Sequence, residues 1–254
     1  MCHPEIPAGQ VAPEVNRDEV DIATDGGPMP ALLATSGDGK GAPILIVADI
    51  FGRSPFYENL AARLATAGFT ALLPEFFFRQ GPLAERTREA AFARRGQLDE
   101  HQTQRDFLVA IDWLKQRTGS AQVGTVGFCM GGTQVLDLTT LRDDLVTVCF
   151  YGFPARLPNA TDKTIPAPLE VADRIRGPIL AFWGDQDQAA GPENVEKLAA
   201  ALNDRGVEFV HTIYPGLDHG FMATSNLDPD HPAYQGACEA WTRTLDFYRS
   251  RLTA

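Results

Sequence analysis

The chain has 254 residues, enough to bury a sizeable core in one large α/β domain, and its 44% of hydrophobic residues is ordinary for a globular protein. Its 22 basic and 33 acidic residues give a formal charge of −11, which argues against nucleic acid and anionic membranes as general partners. The four cysteines show no CxxC pair and no zinc-ligand spacing, and no stretch approaches the ~18 apolar residues of a membrane span. We therefore expect a cytoplasmic protein that needs neither a metal nor a membrane.

The chain opens with a segment that differs in composition from the rest. Residues 1–17 are rich in proline and polar groups, which indicates an extended arm ahead of a single domain over residues 18–254. Two short strand patterns around the turn sequence DGGP predict an antiparallel hairpin at the start of that domain. The apolar run at 42–49 then has the length of a strand buried on both faces, and helical periodicity follows at 54–68.

Strand and helix patterns alternate along the rest of the chain. Further strands are predicted at 69–74, 122–128, 145–152, 178–184 and 207–214, and helices at roughly 84–117, from residue 130, at 192–206 and in a last segment ending near residue 251. This alternation predicts an α/β fold with one open, mostly parallel central sheet and helices on both faces. The stretch 155–170, rich in Pro and Asn, is predicted as a loop within the domain.

Cys129 lies where the strand at 122–128 meets the next helix, at the sheet edge where ligands bind in such folds. Gly127 and Gly131 flank it at two residues on either side, so the stretch spells G-x-C-x-G, a nucleophile elbow with sulfur in place of the usual serine oxygen. Neighbours without a Cβ suit such a strained turn, and the N-terminus of the following helix favours a thiolate. By itself the pattern fits a reactive cysteine and a buried structural cysteine equally well.

A thiolate nucleophile needs a base and a carboxylate that orients the base, and in elbow folds these follow in the order carboxylate, histidine. Asp185 and Asp187 follow the strand at 178–184, and His219 follows the strand at 207–214. The other four histidines lie in the arm, in a helix, within a strand and in a Pro-rich turn. His219 is therefore the candidate base, against the alternative of a solvated loop histidine. The two aspartates are not separated by position, since paired loop aspartates are also ordinary turn residues.

The motifs VGFCMGG, WGDQD and YPGLDHGF, together with ILIVADIFG and LPEFFFRQG upstream, resemble the dienelactone hydrolase family of α/β hydrolases from about residue 19 to residue 250. The resemblance implies an α/β-hydrolase fold and a carboxylic ester hydrolase of the carboxymethylenebutenolidase type, without a cofactor. Carried over motif by motif, it implies a catalytic triad of Cys129, Asp187 and His219. It is this resemblance that selects Asp187 over Asp185.

The resemblance also assigns residues around the triad. It implies that the backbone N–H groups of Ile50 and Met130 form the oxyanion hole. Family members carry a glutamate that holds the resting thiol at the position of Asp49, which is one methylene shorter. Asp49 therefore has two interpretations: a group that accepts the thiol proton, or a cap on the junction between strand and loop.

The expected substrate contacts depart from the family pattern. Arg88 matches one of two arginines that hold a substrate carboxylate, but the second position is Ala223. Losing one charge-assisted contact costs on the order of 1.5–3 kcal/mol, so dienelactone itself is not the expected substrate. Arg88 also fits a solvated helix charge. Phe77 and Phe78 are candidates for an apolar substrate pocket, or else belong to the core.

These features favour hydrolysis of a small-molecule ester or lactone through a thioester on Cys129, in a monomer or homodimer. One alternative is a thiol-based sensor of oxidants or electrophiles, against which stands the lack of an adjacent resolving cysteine. Another is a small-molecule binding module on the same fold that has no catalytic activity.

Overall fold

The computed structural model describes residues 14–156, 165–224 and 229–252. Its strands are β1 (Asn16–Thr24), β2 (Gly27–Thr35), β3 (Pro43–Val47), β4 (Thr70–Pro74), β5 (Val123–Phe128), β6 (Leu145–Phe150), β7 (Ile179–Gly184) and β8 (Phe209–Tyr214). Its α-helices are α1 (Pro55–Thr66), α2 (Arg88–Arg95), α3 (Glu100–Thr118), α4 (Met130–Leu138), α5 (Pro192–Asn203) and α6 (Tyr234–Arg251). Short 3-10 helices occupy Pro168–Val171 and Phe221–Thr224.

The strands form one sheet in the order β1-β2-β4-β3-β5-β6-β7-β8. The β1–β2 hairpin and the β2–β4 pair are antiparallel, and the other pairs are parallel. The crossover from β3 to β4 runs one way along the sheet and the later crossovers run the other way, so right-handed connections place α1 on one face and α3, α4 and α5 on the other. Helix α6 packs on the face of α1, where the Arg63 guanidinium lies 4.4 Å from the Trp241 ring centroid. This is the α/β-hydrolase architecture that the sequence predicts.

The core follows from the continuous apolar runs of the central strands. Every residue of β3 to β7 is buried, as expected for strands covered by helices on both faces. The rings of Phe128, Phe150 and Phe182 stack across β5, β6 and β7, with centroids 4.8 Å and 5.0 Å apart. The buried Tyr248 hydroxyl donates to the Thr125 carbonyl at 2.7 Å, which anchors α6 to the middle of the sheet. These contacts make the end of β5 a rigid support for the residue that follows it.

Besides shifts of one to three residues at the ends of other elements, two predictions differ from the structure. The helical pattern at 84–117 is two helices, because Asp99 accepts a hydrogen bond from the Gln102 N–H at 2.9 Å and starts α3 anew after α2 has ended at Gly96. Strand β1 begins at Asn16 and so includes the last two residues of the predicted arm. Residues 1–13 of that arm, and residues 157–164 of the irregular stretch, lie outside the described residues.

The register of the sheet brings the carboxyl ends of its parallel strands to one edge. Val47 of β3 pairs with Gly127 of β5, and Gly184 of β7 pairs with Tyr214 of β8. The loops that follow β3, β5, β7 and β8 therefore open onto the same edge of the sheet. These loops carry Cys129, Asp187 and His219 of the predicted triad, together with Asp49 and Ile50.

Candidate active site

Cys129 forms the turn between β5 and α4 in a strained backbone conformation. Its φ of 57° and ψ of −121° lie in a region that residues with a Cβ rarely adopt. The Cys129 N–H donates to the Phe150 carbonyl at 3.0 Å, so the turn is fixed to the neighbouring strand β6. Backbone strain of this kind persists only where the surroundings determine it, and strained residues cluster at functional sites.

The glycines around Cys129 are required by close backbone approach. A Cβ on Gly127 would lie 2.0 Å from the Gly131 carbonyl oxygen, and a Cβ on Gly131 would lie 2.2 Å from the Val47 carbonyl oxygen. A Cβ on Gly132 would lie 2.7 Å from the Phe150 carbonyl oxygen. Strand, turn and helix can therefore meet only if these positions carry no side chain.

His219 and Asp187 form a directly bonded pair in which the carboxylate is buried. His219 Nδ1 lies 2.8 Å from Asp187 Oδ2, and the Asp187 side chain is only 1% exposed. The second carboxylate oxygen, Oδ1, accepts hydrogen bonds from the N–H groups of Ala189 at 3.1 Å and Ala190 at 3.0 Å. These donors stabilise the carboxylate and fix its orientation. Because Nδ1 is bonded to Asp187, proton exchange with a substrate would use His219 Nε2.

The neighbouring aspartates have other partners. Asp185 Oδ1 accepts from the Gly216 N–H at 2.7 Å and from the Gln186 side chain at 2.9 Å. Asp218 Oδ1 accepts from the backbone N–H of His219 at 2.7 Å. Both side chains therefore stabilise turns, and the carboxylate bonded to the histidine ring is that of Asp187.

Aromatic residues after β6 hold the histidine ring in place. The Phe153 ring stacks on His219 with centroids 5.3 Å apart and planes 16° apart, and Tyr151 meets it edge-on at 5.0 Å. Tyr151 has a φ of 40°, and the Trp183 side chain fixes the adjacent backbone by donating to the Gly152 carbonyl at 2.7 Å. The roles of Tyr151 and Phe153 were not predicted from the sequence. Two aromatic residues directly after a strand at the site edge are the pattern that could have indicated them.

The loop after β3 forms a tight turn around Asp49. The buried Asp49 carboxylate accepts a hydrogen bond from the Phe51 N–H at 2.8 Å, and the Asp49 N–H donates to the Tyr57 hydroxyl at 3.1 Å. The Gly52 N–H closes the turn by donating to the Asp49 carbonyl at 2.9 Å. These bonds fit a cap on the junction between strand and loop, and both interpretations of Asp49 stay predictions. The loop also places Ile50, which is 3% exposed, at the site edge.

A cavity of about 70 Å³ lies beside the elbow. Met130, which directly follows Cys129, and Phe153, which stacks on His219, are both part of its wall. Asp137, two turns further along α4, contributes to the wall as well. The cavity is several times larger than the ~10–15 Å³ that one water molecule needs, so it can hold part of a small substrate.

The three side chains expected to contact the substrate lie elsewhere among the described residues. Arg88 is exposed in the first turn of α2, with its guanidinium 5.9 Å from the Phe92 ring centroid. Phe77 is fully buried in the core, and Phe78 is half-buried with the Arg79 guanidinium 4.3 Å from its ring centroid. None of the three belongs to the cavity wall, and their role in binding stays a prediction.

The cysteines within the described ranges form no disulfide and differ sharply in environment. Cys149 is fully buried, and burial raises the pKa of its thiol to about 12, so it is not ionised at neutral pH. Cys238 lies in α6 and is half-buried. Cys129 is the described cysteine that directly follows a parallel strand at the edge where the Asp187–His219 pair lies.

The described ranges contain neither a cluster of metal-ligating side chains nor a membrane-spanning helix. There, no group of three or more His, Cys, Asp and Glu side chains is placed to ligate a metal ion. In the same part of the chain, every helix is too short or too polar to cross a membrane.

Comparison with known proteins identifies the family. The sequence model of the dienelactone hydrolase family matches residues 29–252. A carboxymethylenebutenolidase of Rhodococcus opacus is 36% identical over 100% of this chain and 98% of its own, and carboxymethylenebutenolidase 2 of Cupriavidus pinatubonensis is 33% identical over 88% of each. The crystal structure of a Klebsiella pneumoniae protein assigned to the dienelactone hydrolases superposes with a TM-score of 0.81 at 26% identity, covering 92% of this chain and 98% of that one. The chain therefore belongs to the dienelactone hydrolase family, a family of α/β hydrolases.

Proposed function

We propose that the protein hydrolyses a small carboxylic ester or lactone, with Cys129 as the nucleophile, His219 as the base and Asp187 as the carboxylate that orients the histidine. The observation that carries this proposal is the 2.8 Å contact between His219 Nδ1 and Asp187 Oδ2 at the sheet edge where Cys129 occupies its strained elbow. The names of the two curated relatives, both carboxymethylenebutenolidases, support a lactone or ester as the substrate class.

The reaction follows from these positions. His219 takes the thiol proton of Cys129 while Asp187 stabilises the imidazolium, and the thiolate attacks the carbonyl carbon. The N–H groups of Ile50 and Met130 hold the oxyanion of the tetrahedral intermediate. Collapse breaks the bond to the alkoxide, which takes the proton from His219 and leaves a thioester on Cys129. A water molecule, deprotonated by His219, then attacks the thioester, and the carboxylic acid departs with return of the thiol.

The substrate class can be narrowed by the side chains available to it. We expect the cavity lined by Met130 and Phe153 to take the group attached to the reacting carbonyl, because these residues adjoin Cys129 and His219. Ala223 stands where family members have the second arginine that holds a substrate carboxylate, so Arg88 supplies at most one charge-assisted contact to such a group. We therefore expect esters without a carboxylate, such as p-nitrophenyl acetate, to be hydrolysed faster than dienelactone.

The cellular setting is part of the proposal. Sparse cysteines that form no disulfide in the described ranges are typical of a reducing compartment, which supports the cytoplasm as the location. The acting form is a monomer or homodimer.

The decisive test replaces the nucleophile. Cys129→Ala removes the attacking sulfur and little packing, so we expect ester hydrolysis to fall by at least ~10³-fold with the fold retained. The measurements are the rate of p-nitrophenyl acetate hydrolysis and the mass of the intact protein after brief incubation, which should show one acetyl group on wild type and none on the variant. Cys238→Ala, the same change in α6, is the matched control and should retain both.

Two outcomes would contradict the proposal. Activity of Cys129→Ala within a few-fold of wild type would exclude Cys129 as the nucleophile. Wild-type protein that forms no acyl adduct with any ester but gives a sulfenic acid at Cys129 under mild peroxide would favour the thiol sensor instead.

A further inference from the structure

The loop that carries one of the two oxyanion donors is held at the peptide groups on either side of that donor. We call residues 49–52 the hole loop, because the Ile50 N–H lies within it. The Asp49 N–H, in the preceding peptide group, donates to the Tyr57 hydroxyl at 3.1 Å. The Phe51 N–H, in the following peptide group, donates to the Asp49 carboxylate at 2.8 Å. The Asp49 carbonyl, in the same peptide group as the Ile50 N–H, accepts from the Gly52 N–H at 2.9 Å. The direction of the Ile50 N–H is thus set by this bond together with the contacts of the peptide groups on either side.

Arg94, in the last turn of α2, contacts the hole loop from the side of that helix. Its side chain is buried, and Nη2 donates to the Ile50 carbonyl at 3.3 Å. Nη1 donates to the Gly81 carbonyl at 3.4 Å, and the guanidinium carbon lies 4.0 Å from the Phe77 ring centroid. One planar side chain therefore joins the hole loop to the segment that follows β4.

The buried charge of Arg94 is partly balanced by Glu75. Burial lowers the pKa of the Arg94 guanidinium and raises the pKa of the Glu75 carboxyl, and in each case the opposite charge of the other group acts against the shift. A Cβ on Gly52, whose φ is +66°, would lie 3.2 Å from both Arg94 Nη2 and Glu75 Oε1. The two charged groups thus meet at the backbone of the hole loop, where a Cβ would make a tight contact with both and the positive φ favours glycine.

A buried guanidinium needs a reason, because taking a charge out of water is unfavourable unless its donors are used. Here Nη1 and Nη2 bond backbone carbonyls in two segments that are otherwise separate, while the buried Nε has no hydrogen-bond partner. Lysine could not replace this arrangement, because a single ammonium lacks the planar fork that reaches two carbonyls while stacking on a ring.

We propose that Arg94 is a positioning residue of the oxyanion hole, which holds the Ile50 carbonyl so that the Ile50 N–H points at the oxyanion that forms during acyl transfer. This role rests on the proposed function. In this role Arg94 acts through the Ile50 carbonyl, to which its Nη2 donates. Its effect is confined to steps in which a tetrahedral oxyanion develops.

Two reactions of the same thiol separate this role from general support of the fold. Acylation of Cys129 by p-nitrophenyl acetate passes through an oxyanion and needs the hole. Alkylation by iodoacetamide is a displacement at carbon that develops no oxyanion, so it reports only the reactivity and access of the thiolate. The ratio of the acylation rate to the alkylation rate therefore reports on the oxyanion hole. If Arg94 only supported the fold, its replacement would not change this ratio.

The experiment measures both rates by mass spectrometry of the intact protein for wild type, Arg94→Met, Arg94→Lys and Arg63→Met. Loss of a whole oxyanion donor costs ~10²–10³-fold, so for a misdirected donor we expect Arg94→Met to slow acylation by about 10–100-fold. Alkylation should stay within about two-fold of wild type, because the thiolate is unchanged. Arg63→Met is the matched control, because the Arg63 guanidinium lies 4.4 Å from the Trp241 ring centroid, on the face of the sheet that carries α1 and α6. This variant also loses a cation–ring contact, and we expect it to change neither rate.

Labelling of the fully buried Cys149 reports any loss of the fold in each sample. If Arg94→Met exposes Cys149, Arg94→Lys replaces it in the comparison. This variant keeps the charge but not the planar fork, so we expect its acylation to slow relative to its alkylation as well. Acylation that is unchanged, or that falls together with alkylation, would overturn the proposal. A wild-type protein that forms no acyl adduct on Cys129 would refute the proposed function, and with it this role, before any variant is compared.

Discussion

The Asp49 carboxylate makes a hydrogen bond that does not require its charge. Oδ1 accepts from the Phe51 N–H at 2.8 Å, which is an Asx-type turn that shapes the hole loop. The amide oxygen of asparagine accepts the same bond, whereas only a carboxylate can take the proton of the Cys129 thiol. The two interpretations of Asp49 therefore differ in what asparagine would do at this position.

This difference gives a prediction for Asp49. Because the turn needs an acceptor and not a charge, we expect Asp49→Asn to retain kcat/KM for ester hydrolysis within about 10-fold of wild type. Asp49→Ala removes the acceptor, so we expect its kcat/KM to fall by the ~10²–10³-fold that loss of an oxyanion donor costs. Measured pH–rate profiles of both variants complete the comparison. Equal losses in the two variants would show that the charge of Asp49 is what matters.

Some residue roles were within reach of the sequence and others were not. The glycine spacing around Cys129 predicted the elbow, because only close backbone approach explains those glycines. The choice of Asp187 over Asp185 did not follow from spacing, since both precede the same helix and only the fold shows which one the Gly216 N–H binds. Arg94 looked like a surface charge among the arginines of α2, and its burial arises only when the hole loop folds against it.

Among the helices, α4 joins the elbow to the cavity and carries a buried acid. Asp137 is 7% exposed, and burial raises the pKa of its carboxyl well above the ordinary value of 3.8, with the charge of Glu100 adding to the effect. A raised pKa means that the folded protein keeps a proton that the unfolded chain releases. The stability associated with Asp137 is therefore present below pH 3.8 and is lost as the pH rises through the raised pKa.

Asparagine at position 137 removes this titration while keeping the shape of the side chain. We expect Asp137→Asn to be more stable than wild type at pH 7, because the variant has no charge to bury, and to lose that advantage as the pH falls toward the ordinary carboxyl pKa of about 4. Urea midpoints of both proteins at the two pH values measure it. A gap that does not change with pH would mean that the Asp137 carboxyl titrates normally in the folded state.

The elements themselves were largely predictable because two different periodicities alternate along the chain. The buried strands appear as short apolar runs and the helices as one-sided patterns, so β3 to β7 were found within a few residues. The break between α2 and α3 was missed, because the side chain of Asp99 interrupts a pattern whose apolar spacing continues across it. A cap of this kind is a local hydrogen bond that periodicity does not report.

At the scale of the whole molecule, the α/β class followed from the alternation, but the strand order did not. Apolar runs buried on both faces look alike in sequence. Their order in the sheet depends on the crossover from β3 to β4, which places β4 between β2 and β3. The cavity wall was out of reach for the same reason. It combines α4 with segments such as Ala155 and Pro168 that meet it only through that order.

An ion-pair network on the face opposite α1 and α6 contributes stability with the reverse dependence on pH. Asp144, after α4, is bonded by Lys115 of α3 and by both Nε and Nη2 of Arg142, at 2.8 Å and 2.7 Å. The Arg142 hydrogen bond is the largest cause that lowers the pKa of Asp144 to about 2, and Lys115 adds to it. A lowered pKa means that this stability is present above the ordinary value of 3.8 and is lost as the pH falls through about 2.

Asp144→Asn should therefore destabilise the protein at pH 7 by about 1 kcal/mol, because the network is partly exposed and screened by solvent. Urea unfolding at pH 7 and near pH 2 measures the difference, which should close at the lower pH as the wild-type carboxyl is protonated. Asp112, a more exposed partner of Arg142 at 2.6 Å, provides the matched control, and Asp112→Asn should have the smaller effect. A difference that persists near pH 2 would show that Asp144 stabilises the fold by packing and not by its charge. A larger loss in Asp112→Asn would show that the more exposed ion pair contributes more to stability than the one with Asp144.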